Sequence, residues 1–280
     1  MREILNHQIT EAVKKLCLEA NTSLSDDVLE ALNKALANEK SGTGRKILNE
    51  LIQNAKIAKE NQMAICQDTG FAIVFVELGH DVIIKGRDLK AAVNEGVAQA
   101  YTEGYFRKSI VKDPLDRINT KDNTPAIIHT EFVPGENIKI KFLAKGGGAE
   151  NCSAIKMFKP THSFEEINDF VLETVKNAGA NACPPIIVGV GIGGTFDYAP
   201  VLAKKALLRK IGRHSASHET KKWEKELLEK INKTGIGPMG LGGSVTALAV
   251  NIERYPCHIS SLPVAVTLDC HAHRVREITI

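Results

Sequence analysis

Residues 65–78 read Ile65-Cys66-Gln67-Asp68-Thr69-Gly70-Phe71-Ala72-Ile73-Val74-Phe75-Val76-Glu77-Leu78, and the change of pattern inside this stretch sets the fold class. Upstream, apolar residues recur at helical spacing. Ile4, Leu5, Ile9, Val13 and Leu16 form one stripe. Ser25 is placed to cap a second helix holding Val28, Leu29, Leu32 and Leu36, and a third follows Ser41-Gly42-Thr43-Gly44 with Ile47, Leu48, Leu51 and Ile52 on one face. Downstream, Phe71–Leu78 is an apolar, β-branched run of strand length. From there the patterns alternate. Residues 87–106 read as helix, 126–133 and 138–144 as strands, Ser163–Asn177 as helix, Ile186–Val190 as strand, 199–210 and 217–232 as helices, and 245–251 and 262–268 as strands. The expectation is an α/β chain, a mixed sheet with flanking helices behind a helical N-terminal region over residues 1–60. No repeat, low-complexity tract or linker interrupts it, so 1–280 reads as a single domain.

Composition limits the function classes. At 280 residues, 43% apolar and 25% charged, the chain has the make-up of a soluble globular protein with a sizeable core. A formal net charge of +3 is too small to argue for nucleic acid, while leaving cations for a small anionic substrate. Six cysteines are too sparse for a disulfide framework and, with no secretory signal in Met1–Leu18, read as reduced thiols of a cytoplasmic protein. No apolar run approaches the ~20 residues that span a bilayer. The run Lys221, Lys222, Glu224, Lys225, Glu226 and Glu229 reads as a solvated helix face.

Three cysteines stand beside glycine- or proline-marked turns: Cys66 in Cys66-Gln67-Asp68-Thr69-Gly70, Cys183 in Cys183-Pro184-Pro185, and Cys270 in Asp269-Cys270-His271-Ala272-His273-Arg274. Thiolates are soft ligands suited to iron or zinc. Three of them leave a coordination position open, although their spacing matches no compact cluster run. Cys17 lies inside the first helix and reads as a core residue; Cys152 and Cys257 are open between ligand and buried thiol, with the buried reading stronger for Cys257. Twelve of the 22 glycines fall in three windows, at 146–148, Gly189–Gly194 and Gly235–Gly243. Glycine there serves either tight turns or close approach of backbone N–H groups to a ligand.

Two chemistries fit individual stretches poorly. Gly189-Val190-Gly191-Ile192-Gly193-Gly194 has the form of a dinucleotide fingerprint. The acidic residue required about 20 positions on is replaced by Arg213, His214 and Ser215. His271-Ala272-His273 has the form of a hydrolase metal pair, yet it follows a late strand. A nicotinamide-dependent oxidoreductase using Gly189–Gly194 and a zinc-binding, non-catalytic module are the readings that compete from other classes.

Taken together and in order, Cys66–Gly70, Asp113-Pro114-Leu115-Asp116-Arg117 with Asn119-Thr120, Lys145-Gly146-Gly147-Gly148, Cys183-Pro184-Pro185, Gly189–Thr195, Gly235–Gly243 and Cys270–Arg274 resemble the class I iron–sulfur fumarase and tartrate dehydratase family. The chain is similar to the α subunit of the two-subunit form, ending ten residues after Cys270 where long forms continue. The resemblance implies a class I fumarase N-terminal-domain-like fold and a hydro-lyase acting on a small 2-hydroxydicarboxylate. Malate to fumarate, a tricarboxylic acid cycle step, comes first; L-tartrate to oxaloacetate is the alternative, followed by a methylated homologue. It implies a [4Fe–4S] cluster on Cys66, Cys183 and Cys270. It places Asp68 and His258 at the reacting end, and gives Gln67, Arg107 and Gly147 as substrate contacts, with Lys145 and Arg117 in second rank. It implies a separate β subunit that supplies the base and further carboxylate contacts, in an (αβ)₂ assembly, with no nucleic acid and no membrane. Cys152 departs from the family pattern, in which a non-cysteine is usual after the glycine loop.

Overall fold

A computed structural model describes all 280 residues. In chain order its elements are β1 (Arg2–Leu5), α1 (Asn6–Thr22), α2 (Asp26–Asn38), α3 (Gly42–Asn61), β2 (Phe71–Gly79), β3 (Val82–Lys85), α4 (Leu89–Glu103), β4 (Ile127–Val133), β5 (Ile138–Lys145), α5 (Gly147–Glu150), β6 (Ala154–Phe158), α6 (Phe164–Ala178), β7 (Ile186–Gly194), α7 (Tyr198–Leu207), α8 (His218–Asn232), β8 (Ala247–Cys257), β9 (Leu262–Asp269) and β10 (Val275–Thr279). Short 3₁₀ turns lie at Gly179–Ala182 and Pro238–Gly240. The α/β class and the helical first sixty residues hold, apart from the short β1. Strands β1, β3, β6 and β10 lie outside the patterns read from the sequence. No helix is long and apolar enough to cross a membrane.

The chain falls into two compact units, one formed by Met1–Ser25, Asn54–Gly147 and Arg274–Ile280, the other by Asp26–Gln53 and Gly148–His273. Each holds its own four-stranded mixed sheet, so the strands expected in one sheet are divided between two. In the first unit the order is β10-β5-β2-β4, antiparallel except for the parallel β2–β4 pair. Helices α1 and α4 cover one face. The α1 stripe Ile9, Val13 and Leu16 meets Val93, Val97 and Tyr101 of α4 and Val74, Val76, Ile140 and Phe142 of the sheet. Cys17 belongs to this core, as its helical spacing implied. Asp88 starts α4 by accepting the Ala91 amide at 2.8 Å.

The second unit's sheet runs β6-β9-β7-β8, with β7 parallel to β8 and antiparallel to β9. Its α6 begins with a Ser163–Glu166 capping box. Period-two alternation along β7 decides what each face packs against. Val188, Val190 and Ile192 enter the core with Val171 and Val175 of α6 and Leu227 and Ile231 of α8. Gly189 and Gly191 face the other way, onto the main chain of α7 at Ala199 and Ala203. These glycines lie inside a strand and permit close helix–strand packing; they are not a ligand loop.

The α8 charge run is only partly a solvated face. Glu224 is buried, pairs with Arg209, and accepts the amides of Ile252 at 3.0 Å and Ser215 at 3.2 Å. The third glycine window, Gly235–Gly243, forms a loop whose five glycines all have positive φ. Buried Glu39 anchors its end by accepting the amides of Ser41 (2.8 Å), Ser244 (2.9 Å) and Val245 (2.9 Å) and the Ser244 hydroxyl (3.0 Å). Burial alone would raise the Glu39 carboxyl, but these donors outweigh it and hold it below the usual carboxylate range.

Two outcomes follow from this packing. Because the folded Glu39 carboxyl is held down, its contribution is complete above the unfolded value of about 4.3 and lost as pH falls through the folded value. Glu39→Gln therefore costs about 1–3 kcal/mol in urea unfolding at pH 7, and the gap to wild type closes in titrations taken below about pH 4. A Cβ at Gly191 would collide with the Ala199 carbonyl. Gly191→Ala should cost about 3 kcal/mol by the same measurement, and an unaltered midpoint would contradict the packing role.

Candidate active site

The site is built outward from the Cys66–Gly70 turn of the first unit. Three consecutive carbonyls of this turn are each held by a buried side chain. Arg274 Nη1 donates to Asp68 O at 2.7 Å, Tyr101 OH donates to Thr69 O at 2.5 Å and to Gly70 O at 3.1 Å, and Asn123 Nδ2 donates to Gly70 O at 3.1 Å. Just before the turn, the Ile65 amide donates to Asn21 O at 2.9 Å and Asn54 Nδ2 donates to Ile65 O at 2.9 Å. Backbone groups in a partly buried turn need partners, and here they come from five separate elements or loops.

The fixed main chain aims the Asp68 carboxylate. Oδ1 accepts the Gly70 amide at 3.0 Å and Oδ2 accepts the Gly147 amide at 2.7 Å. Gly147 thus contacts Asp68, its N–H being occupied by the carboxylate. Its neighbour Gly146 needs to be small, since a Cβ there would lie 3.2 Å from Asp68 Oδ2. The half-buried Cys66 thiol donates to Gln67 Oε1 at 3.2 Å and accepts the Asp68 amide at 3.4 Å. Gln67 is exposed. Arg107 is also exposed at its side chain, while its carbonyl accepts the Thr69 hydroxyl at 2.7 Å, which ties it to the same turn. Lys145 is wholly buried at the end of β5. Arg117 lies in an exposed turn in which Asp113 Oδ1 accepts the amides of Leu115 and Asp116.

In the second unit, Cys183 ends the 3₁₀ turn Gly179–Ala182 in a left-handed conformation, φ 52°. Cys270 follows β9 directly. The two loops meet through His271, whose amide donates to Cys183 O at 3.3 Å and whose Nδ1 lies 3.0 Å from the same oxygen. Since a carbonyl only accepts, Nδ1 carries the proton. His273 is buried and bonds Asp269 Oδ2 at 2.5 Å. The two histidines thus turn their Nδ1 atoms to different partners. The Gly235–Gly243 loop supports Cys183 from its other side, the Met239 amide donating to Pro184 O at 2.8 Å.

His258 is exposed in a cleft of about 460 Å³ with Thr195, Asp197, Tyr198 and Tyr255. The Ser260 amide donates to its Nδ1 at 3.2 Å, which leaves the proton of the neutral ring on Nε2. Cys257 beside it is exposed, not the buried thiol expected, and its Sγ donates to Ser261 O at 3.2 Å. Cys152 is half-buried at a cleft of about 740 Å³ between β6 and α6. None of the six cysteines is disulfide-bonded. The three candidate ligands and Cys152 are alike in being half-buried, unlike Cys17, which is buried, and Cys257, which is exposed. The sequence reading missed Arg274, Tyr101, Asn21 and Asn123. Only Arg274 carried a signal, its place four residues after Cys270.

Comparison with known proteins bears on all of this. The family model of fumarate hydratase (Fumerase) matches residues 10–279. A Methanocaldococcus jannaschii protein, provisionally named L(+)-tartrate dehydratase subunit alpha, is 46% identical over 276 residues, covering 95% of each chain. The Escherichia coli K12 protein named L(+)-tartrate dehydratase subunit alpha is 32% identical over 272 residues, covering 96% of this chain and 89% of its own. With a match running almost from end to end, this chain belongs to the fumarate hydratase (Fumerase) family, among the hydro-lyase alpha subunits of the class I fumarase and tartrate dehydratase type.

Proposed function

We propose that this chain is the alpha subunit of an iron–sulfur hydro-lyase that dehydrates L(+)-tartrate to oxaloacetate, with malate to fumarate as the second reading. The names of the relatives put tartrate ahead of malate, reversing the order that the sequence alone suggested. The observation that carries the reaction class is the Asp68 carboxylate, held on the Gly70 and Gly147 amides two residues from a half-buried thiol.

The donor set fits a thiolate-held cluster. Cys66, Cys183 and Cys270 are half-buried thiols on turns whose main chain is fixed, and the proposal assigns them as its ligands. When bound, a [4Fe–4S] cluster supplies a Lewis-acidic iron for the hydroxyl that departs. Asp68 has lone pairs left after accepting two amides and is the acceptor at the reacting end. His258 presents Nε2–H, a donor suited to hydroxide as it leaves. Arg107 and the Gln67 amide face solvent and are assigned to the carboxylates of the dianion. A separate β subunit supplies the base that removes the carbon-bound proton, in an (αβ)₂ assembly consistent with the usual symmetry of oligomers. The cytoplasm is the compartment assigned, a reading that six cysteines without a disulfide bond support.

Tests follow from each assignment. Assembled anaerobically with its β subunit, the wild-type chain should show kcat/KM for L(+)-tartrate about tenfold or more above that for malate, because a site that bonds the second hydroxyl rejects a substrate lacking it. The opposite ratio restores malate. Cys183→Ser should lower iron content and remove turnover, and full iron with full activity in that variant would end the cluster assignment. Arg107→Met should raise KM for either dicarboxylate by about 30-fold or more, as expected when a carboxylate loses a charged partner. Unchanged KM would make Arg107 a surface residue.

A further inference from the structure

We propose that Arg274 is the positioning residue of this site, its buried charge holding the Asp68 turn in place against the negative charge that the loaded site gathers. The inference rests on the hydro-lyase reading above and gives a task to a motif residue to which that reading assigns none.

Arg274 is 1% exposed, and its bonds go to neutral oxygens, Asp68 O at 2.7 Å and Asn21 Oδ1 at 3.2 Å, both from Nη1. Its Nε is buried with no hydrogen-bond partner. Its charge lowers the values of Cys17 and Tyr101 somewhat. Burial pushes both well above their ordinary values, so both stay neutral and neither is a counter-ion. Burying a guanidinium with no carboxylate in hydrogen-bond contact costs several kcal/mol as a rule. Two neutral acceptors do not require a cation, since a glutamine amide would serve them. The charge therefore has another use.

Geometry indicates that use. The Asp68 carbonyl held by Arg274 belongs to the residue whose amide bonds the Cys66 sulfur and whose carboxylate takes the Gly70 and Gly147 amides. Arg274 Nη2 and Asp68 Oδ2 also flank one glycine. A Cβ at Gly146 would lie 3.6 Å from the first and 3.2 Å from the second. A fixed cation behind the turn opposes the repulsion among a thiolate, a carboxylate and a dianionic substrate gathered in front of it. Arg274 is too buried to touch substrate, so its effect runs through Asp68 and belongs in kcat rather than KM.

The experiment compares Arg274→Gln, Arg274→Lys and Tyr101→Phe in the assembled, anaerobically loaded enzyme, with iron content measured for each. Arg274→Gln should lose about 100-fold in kcat with KM within about threefold, and Arg274→Lys, which keeps the charge, should regain about tenfold of that. Tyr101→Phe removes neutral bonds to the same turn and should cost less than about fivefold. In the full-length chain without iron, hydrogen exchange at the Gly70 and Gly147 amides should speed up about tenfold or more in Arg274→Gln and less in Arg274→Lys. Wild-type kcat in Arg274→Gln, equal losses in the Gln and Lys variants, or a loss confined to KM would each overturn the proposal. If the Gln variant does not fold, the Lys variant decides: it must fold and fall below wild type in kcat with KM held. If the wild-type enzyme turns over neither tartrate nor malate, the functional reading fails by itself. Exchange then judges Arg274, and unaltered rates at Gly70 and Gly147 refute the positioning role.

Discussion

The carbonyl oxygens of Asp68, Thr69 and Gly70 are the constraint on which the first unit's chemistry depends. A turn that leaves three successive acceptors in a buried setting needs donors from elsewhere. Arg274, Tyr101 and Asn123 supply them from the region before β10, from α4 and from the loop before β4. Tyr101 is suited to the task because burial pushes its hydroxyl far above the ordinary tyrosine value and keeps it a donor across the accessible pH range. With the main chain held, Asp68 has little choice of rotamer, and the Gly147 amide completes the fit. The α1–α4 core beneath is what makes Tyr101 rigid enough to serve.

Three glycine windows that look alike in composition perform three different tasks. Gly146 leaves room for a carboxylate. Gly189 and Gly191 let α7 approach β7, and the side chains of the alternate residues fill the opposite core. Gly235–Gly243 is a run of positive-φ positions that lets one loop both support the Cys183 turn and end on the carboxylate of Glu39. The dinucleotide reading fails for a physical reason. A phosphate loop must leave its amides open at a helix start, whereas Gly189–Ile192 are paired residues of a strand with β8 and β9 on either side, and Gly193 and Gly194 still pair with β8.

Buried charges divide in the same manner. Glu224 with Arg209, and Asp269 with His273, are paired and satisfy loop and strand amides or orient one another. They account for themselves as structure. Arg274 is not paired in this way, because its hydrogen-bond acceptors are neutral.

Much was legible in the chain itself. Helical stripes in the first sixty residues, the capping pair Ser163 and Glu166, and the β-branched runs at 71–78 and 186–190 are local properties, and local physics was enough to place them. So were the three cysteine turns, whose glycine and proline neighbours mark them as special. Strands β3, β6 and β10 were missed because four or five half-exposed residues carry little period-two signal. Their strand character comes from partners distant in sequence, as when β10 pairs β5 across some 130 residues. The division of the strands into two sheets, the burial of Glu224 inside an apparent surface run, and the grip of Arg274 on residues 206 and 253 positions away were settled by tertiary structure alone. Hydrophobic periodicity specifies which face of an element is buried. It carries no information about which distant polar group will be buried beside it, and that pairing is what turns a cysteine turn into an organised site.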